Sequence, residues 1–240
     1  MAIFLHIETA TQVCSVALSE SGKIISARES REKNIHSSII TVFIEEMMKE
    51  AGMPFSSLDA VAVSKGPGSY TGLRIGVSTA KGICYGLGKP LIAIGTLESM
   101  AAGMISEMES GTPSGTPSLP LLLCPMIDAR RMEVYNGLFD YNLRLQRDIR
   151  AEIITNDSFS DLFENHTIWF AGDGAEKCRP FLASHPNARF MDDFFPSAVH
   201  LLQLAEAKFE KSEFENVAYF EPFYLKDFIP GIPRVKGLSF

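Results

Sequence analysis

Apolar and polar positions near the start of the chain set out three strands in succession. Ile3 to Glu8, Val13 to Ser19 and Lys23 to Arg28 carry β-branched and apolar runs, joined by a turn at Thr9 to Gln12 and a hairpin at Glu20 to Gly22. From Ile35 to Ala51 the period becomes helical, with Asn34 or Ser37 as candidate cap and Gly52 with Pro54 as the stop. The apolar face of this helix takes in Ile39, Ile40, Val42, Phe43, Ile44, Met47 and Met48. That is wider than the usual stripe of about 100°, so covering a sheet leaves a surplus. Exposed, such a surplus marks an interface.

Ala60 to Ser64 is a short apolar strand that Gly66, Pro67 and Gly68 stop sharply. A helix follows, with Leu73, Val77, Ala80, Cys84 and Leu87 on the 3.6-residue repeat and Gly72, Gly76 and Ala80 along a neighbouring stripe. Each internal glycine weakens a helix by roughly 1 kcal/mol relative to alanine, so this spacing implies that another backbone comes close. A strand at Pro90 to Ile94 and a helix at Leu97 to Met108 complete a βββαβαβ(α) unit. ESGTPSGTPS, Glu109 to Ser118, reads as a flexible linker by composition.

The same order then recurs. Strands fall near Leu121 to Ile127, Glu133 to Tyr141 and Asp148 to Ile154, then a helix near Asp157 to Glu164 and a strand at Ile168 to Ala171. A helix at Ala175 to Ala183, a strand near Ala188 to Phe190 and a helix at Pro196 to Lys211 close the second half. The echo is architectural and not a sequence repeat. The last segment has aromatics that dock it and a Pro/Gly tail that frays.

Composition narrows the classes. With 240 residues, 46% of them hydrophobic, the chain holds one large domain or two small ones around a sizeable core. It contains no run of about eighteen apolar residues and opens directly on a strand, so a soluble, cytoplasmic protein is expected. Cys14, Cys84, Cys124 and Cys178 lie far apart and read as buried, reduced thiols. The five histidines are equally dispersed, and no metal site is expected. A net charge of −7 argues against gripping RNA unaided, although Arg130 and Arg131 form a local basic spot.

The strand, glycine turn and helix could cradle a phosphate, with Thr9, Gly66, Gly68 and Arg74 as candidate ligand contacts. The sequence meets neither G-x-x-x-x-G-K-[ST] nor G-x-G-x-x-G, which favours a structural turn. His36 reads as a helix-start residue or a partner contact, and AGDG at Ala171 to Gly174 as a plain strand-to-helix turn.

Two βββαβα units with turns between their first strands resemble the duplicated actin, hexokinase and Hsp70 (ASKHA) fold, an α/β class of two ribonuclease-H-like units. IETATQVCSVAL at Ile7 to Leu18, SKGPGSYTGLRIGVSTAKG at Ser64 to Gly82, MIDARRMEVYNGLF at Met126 to Phe139 and PFYLKD at Pro222 to Asp227 are together similar to the TsaB (YeaZ) family. Its members are bacterial subunits of the machinery that makes N6-threonylcarbamoyladenosine at position 37 of tRNA. The resemblance implies domains at 1–108 and 120–240 around a linker at 109–119. It implies a noncatalytic partner of TsaD, without catalytic residues of its own.

TsaD carries an H-x-x-x-H metal pair where this chain has Thr96 and Met100, neither of which replaces imidazole on a hard or borderline ion. The phosphate turns differ too, with Glu8 and Ala10 in the first and Asp128, Ala129 and two arginines in the second. By the same resemblance Ile39, Phe43, Met47, Gly72, Leu73, Gly76 and Ala80 pair with the equivalent helices of TsaD, and the patch pairs with itself in a homodimer when TsaD is absent. The TsaE ATPase joins the assembled complex, and tRNA is met only through that complex, away from membranes. No cofactor is bound tightly, an adenine nucleotide at the shared interface being the one candidate. The alternative is an ATP-dependent small-molecule kinase using Glu8 and Asp128. A peptidase comes last, because Ser69 and Tyr70 have no histidine near them in sequence.

Overall fold

The computed structural model describes residues 2–32, 35–111 and 119–226. The first half runs β1 (Ile3–Glu8), β2 (Cys14–Glu20), β3 (Lys23–Ser30), α1 (His36–Glu50), β4 (Ala60–Gly66), α2 (Tyr70–Leu87), β5 (Leu91–Gly95) and α3 (Thr96–Glu109). The second runs β6 (Leu121–Asp128), β7 (Glu133–Phe139), β8 (Leu145–Ile153), α4 (Ser160–Phe163), β9 (Thr167–Ala171), α5 (Asp173–Leu182), β10 (Ala188–Phe190) and α6 (Leu202–Glu210). Both halves spell βββαβαβα.

The sheets repeat one another as well, in the orders β3-β2-β1-β4-β5 and β8-β7-β6-β9-β10. In each, the first three strands form an antiparallel meander and the last two add in parallel through helical crossovers. This is the ribonuclease-H-like order, present twice, as the duplicated ASKHA-type fold requires.

Burial explains the residue choice in each strand. β4 and β5 are covered on both faces and read as continuous apolar runs, whereas the edge strand β3 alternates exposed and half-buried positions. One face of the first sheet offers Leu5, Ile7, Val16, Leu18, Val61 and Val63 to Ile40, Ile44, Met47 and Met48 of α1 and Val77 and Ala80 of α2. Its other face offers Phe4, Ala62, Ile92 and Ile94, and these are met by Leu201, Ala205 and Phe209 from the second half. The return contact is equivalent. Leu97, Met100 and Met104 of α3 cover Leu123, Ile127 and Phe139 of the second sheet. Each half therefore supplies a core layer to the other.

Several element ends depart from expectation. The cap of α1 is Ile35, with no side-chain hydrogen bond; Ser37 lies inside the helix and Asn34 outside the described residues. The helix expected near Asp157 to Glu164 shrinks to the single turn of α4, because Phe159 takes a left-handed conformation at φ 65°. The last helix opens as a 3-10 turn at Ala198–Leu201. The linker 109–119 is described only at its ends, and the tail after residue 226 lies outside the described residues.

All four cysteines are buried and unpaired. Burial pushes the thiols of Cys14, Cys84 and Cys178 up to about 11 and raises that of Cys124 further, so they are inert thiols of the core. Among the described residues no helix is long and apolar enough to cross a membrane.

Candidate functional site: an open helix face beside two filled turns

The turn between β1 and β2 is occupied by its own chain. Thr9 is fully buried and its Oγ1 donates to Gly72 O at 2.8 Å. The Ser69 N–H donates to Ala10 O at 2.6 Å, and Ser69 Oγ caps α2 by accepting the Gly72 N–H at 3.3 Å. A Cβ placed on Gly68 would lie 2.3 Å from Ala10 O, one on Gly72 2.1 Å from Thr9 O, and one on Gly76 2.2 Å from Thr9 Oγ1. The backbone approach inferred from the glycine spacing is real, but the backbone is this chain's own turn.

Two expectations are corrected here. Gly72, Gly76 and Ala80 are buried inside the molecule, as are Leu73 and Met47, so none of the five is presented to a partner. Thr9, Gly66 and Gly68 have no room for a phosphate. The one N–H that Gly66 could offer donates to Thr96 Oγ1 at 3.1 Å. His36 is buried too, with Nε2 3.0 Å from Thr11 O and 3.1 Å from Val13 O, which ties the start of α1 to the turn.

Glu8 closes β1 with its carboxyl buried against the chain's own donors. Its Oε1 accepts the Ala10 N–H at 2.6 Å and the Ser64 hydroxyl at 2.9 Å, while Oε2 has no partner among the described residues. Burial pushes its carboxyl up to about 7, against the weaker pull of those hydrogen bonds. Thr96 and Met100 are both fully buried, Met100 in the layer that α3 lends to the second sheet. Among the described residues no three His, Cys, Asp or Glu side chains converge.

The turn between β6 and β7 is filled differently. The Lys177 ammonium of α5 pairs with Asp128 and donates to Arg131 O at 3.1 Å and Glu133 O at 2.7 Å. Asp173 Oδ1 accepts the Asp128 N–H at 2.9 Å. Gly172 and Gly174 lie against β6, where a Cβ would meet Met126 O at 2.2 Å and Ile127 C at 2.9 Å. AGDG is thus a packed strand-to-helix turn.

The outward faces of α1 and α2 stay open. On α1, Val42 is 45% exposed and Ile39 and Phe43 are half-buried. On α2, Thr71, Arg74, Ser78 and Gly82 are exposed, Ile75 and Ile83 half-buried, and Tyr85 is 85% exposed. Gly82 and Gly86 have no atom within 4 Å of an added Cβ. Small residues and a free tyrosine leave this face shallow enough for another helix.

A groove of about 330 Å³ runs between α2 and the C-terminal segment, lined by Tyr70, Arg74, Lys81, Phe220 and Tyr224 among others. The segment is held firmly. Lys81 donates to Ala218 O at 3.3 Å and Phe220 O at 2.9 Å, the Phe223 N–H donates to Lys65 O at 2.7 Å, and the rings of Tyr70 and Tyr224 lie 4.8 Å apart. The Arg74 guanidinium donates to Tyr70 Oη at 2.9 Å, so of the expected ligand contacts only Arg74 faces an opening. Ser78, Lys81 and Tyr85 were not singled out from the sequence. The polar half of the α2 repeat, 71, 74, 78, 82 and 85, was the signal that could have found most of this face.

A family model described as "TsaD: tRNA N6-adenosine threonylcarbamoyltransferase" matches residues 30–230. The chain belongs to that family. Within it the chain stands with the TsaB (YeaZ) proteins. The tRNA threonylcarbamoyladenosine biosynthesis protein TsaB of Haemophilus influenzae is 25% identical over 232 residues, covering 93% of each chain. A crystal structure from Pseudomonas aeruginosa, described as an uncharacterized protein with similarity to peptidase YEAZ, superposes with a TM-score of 0.80 at 25% identity over 94% of this chain and 100% of that one. A tRNA N6-adenosine threonylcarbamoyltransferase of Geobacillus kaustophilus is 49% identical over 59 residues, 25% of this chain and 17% of its own. The likeness to catalytic relatives is thus strong but local, and that to TsaB proteins runs nearly end to end.

Proposed function

We propose that this chain is a noncatalytic assembly subunit in the formation of N6-threonylcarbamoyladenosine at position 37 of tRNA, binding and supporting a TsaD-type catalytic subunit through the outer faces of α1 and α2. The reading rests above all on the contrast between two filled turns and one open helix face. The chain occupies both places where this fold type would hold phosphates, with Thr9 and Ala10 against the α2 glycines and Lys177 in the second turn. Glu8 is sealed and Asp128 is paired with Lys177, which weighs against the kinase alternative. The family resemblance supports the helix face as the docking element, and Ile39, Val42 and Phe43 beside the shallow stripe of Ser78, Gly82 and Tyr85 give it a physical basis. The same surface serves a homodimer when the partner is absent, TsaE joins the assembled complex, and an adenine nucleotide, if one is held, sits at the shared interface.

The test is size-exclusion chromatography of the chain mixed with TsaD, repeated with Gly82→Trp and Tyr85→Ala. Both variants should fold, because both positions are open to solvent, and both should fail to co-elute. A complex of normal size from either variant would remove the α2 face from the interface.

A further inference from the structure

The tip of the β6–β7 turn carries Arg130 and Arg131, both exposed, and both in the left-handed region at φ 69° and 51°. Glycine or asparagine takes this conformation more cheaply than arginine, so the fold alone gives no reason for these side chains. The turn's backbone is already held without them. Asp128 Oδ1 accepts the Arg130 N–H at 2.8 Å, Arg130 O accepts the Glu133 N–H at 3.2 Å, and Arg131 O accepts from Lys177 at 3.1 Å.

Neither guanidinium makes a hydrogen bond or ion pair with any described residue. The nearby carboxylates are spoken for, Asp128 by Lys177 and Glu133 by Lys226, whose ammonium also lies 5.9 Å from the centre of the Tyr135 ring. Most other arginines here are paired, Arg28 with Glu46 and Glu50, Arg147 with Glu152, and Arg179 with Glu176 and Asp192. In a chain of net charge −7, two adjacent unpaired cations on a strained hairpin tip are an exception.

We propose that Arg130 and Arg131 contact the sugar-phosphate backbone of the RNA substrate while the chain is docked on its catalytic partner. The inference rests on the assembly reading above. Guanidinium groups match phosphate oxygens in geometry, and a hairpin tip projects them with little desolvation of the protein itself. Backbone contact is nonspecific, so the pair strengthens the grip on tRNA and leaves sequence choice to other surfaces.

The test uses the full chain assembled with TsaD, an unmodified tRNA transcript, and binding measured across a salt series. Replacing both residues by glycine (R130G/R131G) should lower the slope of log K against log salt by about two, since each phosphate contact contributes roughly 0.9. The melting temperature of the free chain should not fall, because glycine relieves the turn. R130K/R131K should keep most of the slope. An unchanged slope in R130G/R131G, or absence of tRNA binding by the wild-type assembly, overturns the proposal. So does displacement of tRNA by inorganic phosphate at matched ionic strength, which would mark a small-anion site, or an equal loss of binding to a poly-glutamate peptide. Co-elution of R130G/R131G with TsaD separates failure of this inference from failure of the docking reading.

Discussion

Alanine at two glycines of one helix should shift stability in opposite directions. At Gly72 the added Cβ would lie 2.1 Å from the carbonyl oxygen of Thr9, where real Cβ contacts under 3.0 Å are essentially unknown. The neighbour is backbone in a buried turn, so either the helix or the turn must move by about an ångström. Such overpacking costs about 1–3 kcal/mol, and displacing Thr9 Oγ1 from Gly72 O costs about 1 kcal/mol more. Alanine's better helix propensity returns about 1 kcal/mol, leaving a net loss near 2 kcal/mol.

For a chain of this size that is a fall in melting temperature of about 4–8 °C. At Gly82 nothing lies within 4 Å of the new methyl, so only the helix propensity acts and the midpoint should rise by about 2–4 °C. Differential scanning fluorimetry of the two variants beside wild type is sufficient. A rise for Gly72→Ala comparable to that for Gly82→Ala would falsify the inward orientation of the glycine stripe. Gly76→Ala should fall between them, because its closest neighbour is the Thr9 hydroxyl, which can rotate away once its bond to Gly72 O is given up.

Two further outcomes concern the filled turns. Burial raises the Glu8 carboxyl from 4.5 to about 7, so between those pH values the folded state keeps a proton that the unfolded chain releases, and stability falls as pH rises. Glu8→Gln mimics the protonated form; its advantage over wild type in denaturant titrations should be absent near pH 4.5 and grow to about 3 kcal/mol above pH 7. Parallel stability curves for the two proteins would count against a sealed carboxyl. Lys177→Met strips Asp128 of its partner and leaves Arg131 O and Glu133 O without that donor. It should cost about 2 kcal/mol by chemical denaturation, discounted from a fully buried pair because water reaches the site. A cost near zero would mean that the second turn holds its shape without the lysine.

The architecture was largely legible because periodicity reports burial directly. The meander, both parallel additions and the second appearance of the same order all follow from where Val, Ile and Leu recur. Side-chain direction was not legible in the same way. Gly72, Gly76 and Ala80 form a small-residue stripe that announces close approach, but nothing in one helix says which backbone approaches. Only the long-range placement of Thr9 decides it. Met47 went to the core for a similar reason, since a wide apolar face does not reveal which edge the sheet and α2 cover. The β1–β2 turn held the opposite surprise. From the sequence His36 reads as a helix-start residue or a partner contact, yet its ring reaches back to two carbonyls, a contact invisible without the fold. The grip of Phe223 and Tyr224 on Lys65 and Tyr70 spans too much sequence to be read from either stretch alone.

The exchange of α3 and α6 between the sheets bears on how the molecule comes apart. Loss of order in the second half withdraws Leu201, Ala205 and Phe209 from Phe4, Ile92 and Ile94, and loss in the first withdraws Leu97, Met100 and Met104 from Leu123 and Phe139. Neither half can melt while the other keeps a complete apolar layer. A duplicated architecture of this size offers a two-step route, one repeat at a time; this interleaving should couple the repeats into a single cooperative transition, which agreement between calorimetric and van't Hoff enthalpies would check.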